Sequence, residues 1–445
     1  MDFNIVYYFL ASVQIAITIK LCWMEMRRES PFFLFWAALL LVYLVPSLAD
    51  PFTREGAVNP NAIAVRLAGN PALLKAQFFY VCFAALYLGW RSTTAEAVFT
   101  GTSNSLILRF QNIRSNGLRA ALPFALVLVA LICMLASVGF RVSTLLQGSY
   151  TSYRLEADTP LKLASYYLGV AAGGSALLYW VRRQRYIAII ILGAFMLIFL
   201  AGRTRQVLAA AVLPFALYTA FRARGFFGRA QVVLAGVGLF LLFALLQFLR
   251  YTPTLSSGLT LLINGALFDQ FFVRIAASQG EAALRFAYYY FFQHSDYSGF
   301  GHGLTYVRLI MFWLPASLSG GLKPLDFDET LYSQYYPTDV TAVHGTLHIL
   351  FPGSAYVNLW WFGVLLAIPL AALAGKLNRW LHSTEPDVAA VALGPASYAA
   401  VMLARGSVYN TSMMLVASLI IIWLLFQFAP VYSRRSPHLH SALKA

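Results

Sequence analysis

The chain is a succession of apolar runs, each long enough to cross a bilayer, divided by short polar joints. Such runs recur near 5–23, 32–48, 73–90, 120–140, 161–180, 186–201, 206–221, 230–248, 353–375, 388–404 and 411–429. A hydrocarbon layer of about 30 Å takes about 20 apolar residues in helical form. Eleven runs therefore predict an all-α, polytopic membrane protein with its termini on opposite sides. Only 11% of the 445 residues are charged, and 60% are hydrophobic. A soluble domain carries about 25% charged residues. The alternating pattern of a membrane β-barrel is missing.

The joints set the orientation. One alternating set holds 18 Lys and Arg against 5 acidic residues; the other holds 14 against 12. Basic residues collect in cytoplasmic loops, so the first set faces the cytoplasm. The N-terminus is then outside and the C-terminus inside. The net charge of +15 then reflects orientation, not nucleic-acid binding. The start, "MDFNIVYYFL", has no basic n-region and reads as a retained first helix. Cys22, Cys82 and Cys133 fall inside apolar runs and read as packing residues.

No internal repeat or linker divides 1–445, which reads as a single membrane domain. The longest non-cytoplasmic segment, 250–352, contains apolar, aromatic stretches such as "EAALRFAYYYFFQ" and "YVRLIMFWLPASL". It reads as a periplasmic cap of amphipathic helices lying on the membrane. If two of them insert as a hairpin, the count rises from about 11 spans to 13.

Motifs of soluble enzymes are missing: there is no P-loop, HExxH or nucleophile elbow. "GFGHG" follows no buried strand, so it is no nucleotide loop. What stands out is arginine beside apolar sequence on the non-cytoplasmic face: Arg203, Arg205, Arg250, Arg274, Arg285, Arg308 and Arg405. A lone arginine at a helix end is commonly a snorkelling anchor. A converging set instead suits a diphosphate, because each planar fork of donors matches two oxygens and stays charged. His344 and His348 are four apart, which in a helix puts them on one face at metal-ligand spacing, but no third ligand is evident. One of these histidines suits a general base; the alternative is a ring satisfied by backbone. In "LKPLDFDETLYSQYYPTDV", Asp326, Asp328 and Glu329 accompany tyrosines, a combination suited to sugar hydroxyls or to a solvated surface loop. Glu281 is the lone acid at an expected helix start, where the helix dipole alone favours it.

The ordered pieces "MEMRRES", "AGRTRQVLAAA", "LQFLRY", "FFVR", "GFGHGLTYVRLIMFWLPASL", "VHGTL", "FPGSAYVNLWWFGVLLAIPL" and "MLARGS" resemble the Wzy-type O-antigen and enterobacterial common antigen polysaccharide polymerases. That resemblance covers most of the chain. It implies a fold like the GT-C integral-membrane glycosyltransferases, and a substrate of undecaprenyl-diphosphate-linked oligosaccharide repeats. It also implies work at the periplasmic face and a chain-length regulator as a possible partner. Carried over, the family's arginines fall on Arg205, Arg250, Arg274, Arg308 and Arg405, and its histidine on His344. Arg203 stands where a close relative has glycine, and "FPGSAYVN" departs from that relative around Tyr356 and Asn358.

The implied reaction is attack by an acceptor sugar hydroxyl on the donor's anomeric carbon, with inversion. Preorganised arginines would stabilise the departing diphosphate, with no metal or other cofactor. Arg205, Arg250 and Arg405 are expected on the diphosphate, with Arg203 beside them. Arg274 and Arg308 are expected on phosphate or sugar, with Tyr356 on substrate. His344 or Glu281 is the candidate base. The competing readings are an O-antigen ligase and, from another class, a lipid-linked oligosaccharide transporter or flippase.

Overall fold

A computed structural model describes residues 3–48, 50–53, 70–93, 105–111, 113, 117–140, 160–202, 205–223, scattered positions between 227 and 238, 260, 284–294, 302–311, 314, 318–324, 327–335 and 347–427. Every regular element among them is a helix. In order these are α1 (Phe3–Arg27), α2 (Phe33–Leu39), α3 (Asn70–Thr93), α4 (Leu106–Gln111), α5 (Gly117–Ser137) and α6 (Pro160–Ala171). Next come α7 (Ser175–Val181), α8 (Arg185–Gly202), α9 (Arg205–Arg222), α10 (Leu284–Gln293), α11 (Leu304–Ile310) and α12 (Phe327–Tyr335). The last four are α13 (Phe351–Leu359), α14 (Ala367–Ser383), α15 (Pro386–Ala404) and α16 (Val408–Gln427).

Five helical runs have the length and apolarity of a membrane span: Phe3–Arg27, Pro71–Thr93, Phe351–Ser383, Pro386–Ala404 and Val408–Gln427. Four shorter apolar helices accompany them, Phe33–Ser47, Ala121–Ser137, Arg185–Leu200 and Gln206–Arg222. The expected span at 230–248 lies largely outside the described residues. α2 continues through one wide π-helical turn, Leu40–Leu44, into Val45–Ser47, where Pro46 lacks a backbone donor just where the ladder loosens.

Cross-helix contacts fix the direction of each rod. The Tyr7 hydroxyl donates to the Ser47 carbonyl at 2.7 Å, so the start of α1 meets the far end of the α2 rod. Gln14 donates to the Gln77 carbonyl at 2.9 Å, Thr18 meets Tyr80 at 2.8 Å and Glu25 meets Arg91 at 2.9 Å, so α1 and α3 run parallel. The amide of Asn378 donates to the Arg28 carbonyl at 3.0 Å, which brings α14 down to the Glu25 end. Arg119 binds Glu385 and Asp387 there, and α15 climbs back to the opposite end.

Two contacts correct the expectation of single straight spans. The run 161–180 is broken between α6 and α7, where Gly173 and Gly174 admit α15: a Cβ on Gly394 would stand 2.3 Å from the Gly174 nitrogen. Small residues let these rods approach closely, and α15 is 94% buried in its apolar window. The run 353–375 doubles back. Phe351 packs on Phe83 with ring centres 5.7 Å apart, while Tyr356 packs on Phe79 at 5.3 Å, so α13 runs antiparallel to α3. α14 runs parallel to α3. The reversal falls at Trp360, with φ +53°, and leads into a 3-10 segment Trp360–Leu366. A Cβ on Gly363 would meet the Ala355 carbonyl oxygen at 2.3 Å, whereas eight residues of straight helix span about 12 Å. α13 thus folds back on the segment that follows it. Residues Phe351–Asn358 are all buried.

Candidate functional site

The polar groups at the end opposite Glu25 centre on the turn between α15 and α16, "ARGS". Gly406 adopts φ +98°, and a Cβ there would lie 2.8 Å from the Leu350 carbonyl oxygen. The turn needs glycine on both counts. The Leu350 amide donates to the Arg405 carbonyl at 2.8 Å. Leu350 itself holds φ +64°, a conformation that costs a non-glycine residue free energy and persists where its surroundings impose it. The extended strip 347–350 is thereby pinned across the arginine turn just before α13 begins.

α11 and the segment 318–324 close on the same turn. The Arg308 guanidinium lies over the Tyr409 ring at 4.6 Å, and the Lys323 ammonium over the same ring at 5.6 Å. Each cation donates to a carbonyl, Arg308 Nη1 to Pro324 at 2.6 Å and Lys323 Nζ to Leu314 at 2.7 Å. No carboxylate pairs with either among the described residues. Arg308 Nε is buried and hydrogen-bonded to nothing among them. Arg405 Nη1 reaches the Met402 sulfur at 3.6 Å.

The strip also carries His348, whose Nδ1 lies 3.1 Å from Asp328 Oδ2; the two side chains are 13% and 8% exposed. The Leu347 amide donates to the Asp328 carbonyl at 3.0 Å, tying strip to α12. Burial raises the pKa of the Tyr306 hydroxyl on α11, which stays protonated. Two sequence readings change here. His348 lies outside any helix, so helical spacing with His344 does not apply to it. Phe327–Tyr335 of the acidic stretch is a helix with Asp328 buried and Glu329 exposed, and Asp326 lies outside the described residues. Partnering across 20 residues is invisible to a local pattern.

Comparison with family models, curated proteins and solved structures finds no match for this chain.

The other expected residues divide as follows. Arg285 is a structural ion-pair partner: its Nε donates to Asp50 Oδ1 at 2.9 Å, Tyr289 donates to Asp50 Oδ2 at 2.9 Å, and both charged side chains are buried. The signal for it was Asp50, the lone acid closing the second span. Tyr356 stacks on Phe292 with ring centres 3.8 Å apart, within an aromatic cluster with Phe79 and Trp361. The Arg205 backbone opens α9. Gly173 crosses both Ala210 and Gly394, so α9 starts about 7 Å from that crossing and α15 ends about 15 Å from it. Both termini point to the arginine end, Arg205 about 8 Å deeper than Arg405. Arg203, Arg250, Arg274, Glu281 and His344 lie outside the described residues. Lys323 and Tyr409 went unselected in the sequence; an aromatic three residues past "ARG" was the available clue. No three His, Cys, Asp or Glu side chains gather as metal ligands among the described residues.

Proposed function

We propose that this chain is a multi-pass glycosyltransferase of the polysaccharide-polymerase kind, joining lipid-diphosphate-linked oligosaccharide repeats at the periplasmic face of a bacterial inner membrane. The observation that carries the reading is Arg308 with Lys323 over Tyr409. Two cations share one ring beside the Arg405 turn, hold only carbonyls as polar partners among the described residues, and keep a buried guanidinium N–H unspent. A buried donor left without an acceptor is costly. An anionic ligand with several oxygens answers that deficit, and a diphosphate leaving group is such a ligand.

In this reading an acceptor hydroxyl attacks the anomeric carbon of the donor, and charge builds on the departing diphosphate. Arg308, Lys323 and Arg405 stabilise it from fixed positions in a setting of low dielectric. Arg203, Arg205, Arg250 and Arg274 belong to the same set by sequence. About eleven spans, a GT-C-like arrangement and a chain-length regulator as partner complete the reading.

The test is incubation of the purified protein in lipid nanodiscs with a polyprenyl-diphosphate-linked repeat unit, followed by gel analysis. A ladder of products one repeat apart is expected. Transfer of one finished glycan to a lipid A core, with no ladder, marks a ligase instead. Movement of the lipid across the bilayer with no transfer marks a transporter.

A further inference from the structure

We propose that His348 is the general base of the transfer and Asp328 its positioning residue; this rests on the reading of the site given above. The extended strip 347–350 is fixed at both ends by backbone hydrogen bonds, to Asp328 through Leu347 and to Arg405 through Leu350. His348 therefore sits between the α12 carboxylate and the arginine turn. Asp328 lies on Nδ1 at 3.1 Å, which favours the tautomer with the proton on Nδ1 and the lone pair on Nε2. Nothing among the described residues hydrogen-bonds to Nε2. A histidine acting only as a strut needs no more than the Asp328 contact. The carboxylate also stabilises the imidazolium that forms when the ring takes a proton.

The step balances. As the acceptor oxygen bonds to the anomeric carbon, its proton passes to His348 Nε2. The bond from that carbon to the diphosphate oxygen breaks, and its electron pair leaves with the diphosphate, whose added negative charge the arginines meet. The imidazolium then releases its proton to water and the ring is ready again.

The test uses the full-length protein in nanodiscs with the same lipid-linked repeat. His348→Gln is expected to lower transfer by about 10²-fold or more while donor binding stays at the wild-type level. Added imidazole is expected to restore part of the transfer in His348→Ala, which a merely structural role does not allow. Asp328→Asn is expected to lower kcat by at least about tenfold with the donor KM unchanged. It also serves if His348→Gln fails to fold, because it keeps the Leu347 backbone bond. Transfer by His348→Gln within about threefold of wild type overturns the proposal. So does the absence of imidazole rescue in a His348→Ala protein that still binds donor. A wild-type protein that makes no polymer overturns the parent reading, and the base with it; a wild-type that polymerises alongside an active His348→Gln overturns the base alone.

Discussion

The two ends of this helical bundle hold their cations differently. At the Glu25 end carboxylates hold several of the cations, while Arg27, Arg182, Arg185 and Arg222 lie over aromatic rings. Arg91 and Glu25 are fully buried together, with the Tyr87 hydroxyl donating to the same carboxylate at 2.9 Å. Arg119 takes Glu385 and Asp387, Glu29 accepts from the Leu106 amide and Ser105, and Arg109 caps carbonyls at the end of α14. At the opposite end one pair, Arg285 with Asp50, is closed in the same way. Arg308 and Lys323 lean on carbonyls and a tyrosine face. A buried ion pair binds helices together and has no charge to spare. A cation satisfied by neutral groups keeps most of its field for a ligand.

That contrast is breakable in order of the stability each change costs. Glu25→Gln leaves a buried guanidinium uncompensated and is expected to cost about 3–5 kcal/mol. Thermal unfolding in detergent reads it, and a transition within experimental error of wild type means the pair is not a structural lock. Gly406→Ala forces an alanine to φ +98° against Leu350 and is expected to cost about 1–3 kcal/mol, with transfer reduced because the strip is displaced. Tyr409→Leu removes the ring shared by two cations and is expected to cost about 1 kcal/mol, with weaker donor binding. Arg308→Gln is expected to move stability by only about 0.5 kcal/mol, as a residue outside the structural pairs does. Its transfer rate is expected to fall about 10²-fold, as when one preorganised donor to a developing anion is removed. Loss of stability without loss of transfer at Arg308 places it with Arg91 instead.

Much of the bundle was legible in the chain. Apolar length gave α1, α3, α5, α8, α9, α15 and α16 within a few residues, because twenty apolar residues leave the backbone few alternatives to helix. The charge count grouped Arg28, Arg91, Arg109 and Arg119 apart from Asp50, Arg308 and Arg405, and the structure gathers them at opposite ends. The reversal at Trp360 was not legible. An apolar run looks alike whether it continues or folds back, and the decision rests on Gly363 lying against Ala355. Within the site, Arg308 and Arg405 were both singled out in the sequence, and Arg308 lies over Tyr409, four residues past Arg405. Arg285 was selected with them because its partner, Asp50, is far away in sequence and only the fold unites them. The contact of His348 with Asp328 was not legible either, since the two lie on different elements, and His344 lies outside the described residues.

The most direct measurement is binding of a polyprenyl diphosphate to the full-length protein in nanodiscs, compared between Arg308→Gln, Arg405→Gln and Arg119→Gln. Affinity is expected to fall by about tenfold or more in the first two, the size of one lost charge-assisted contact, and to hold in the third where that protein folds. Equal affinity in wild type and both arginine-end variants contradicts the claim that this end grips the anionic lipid.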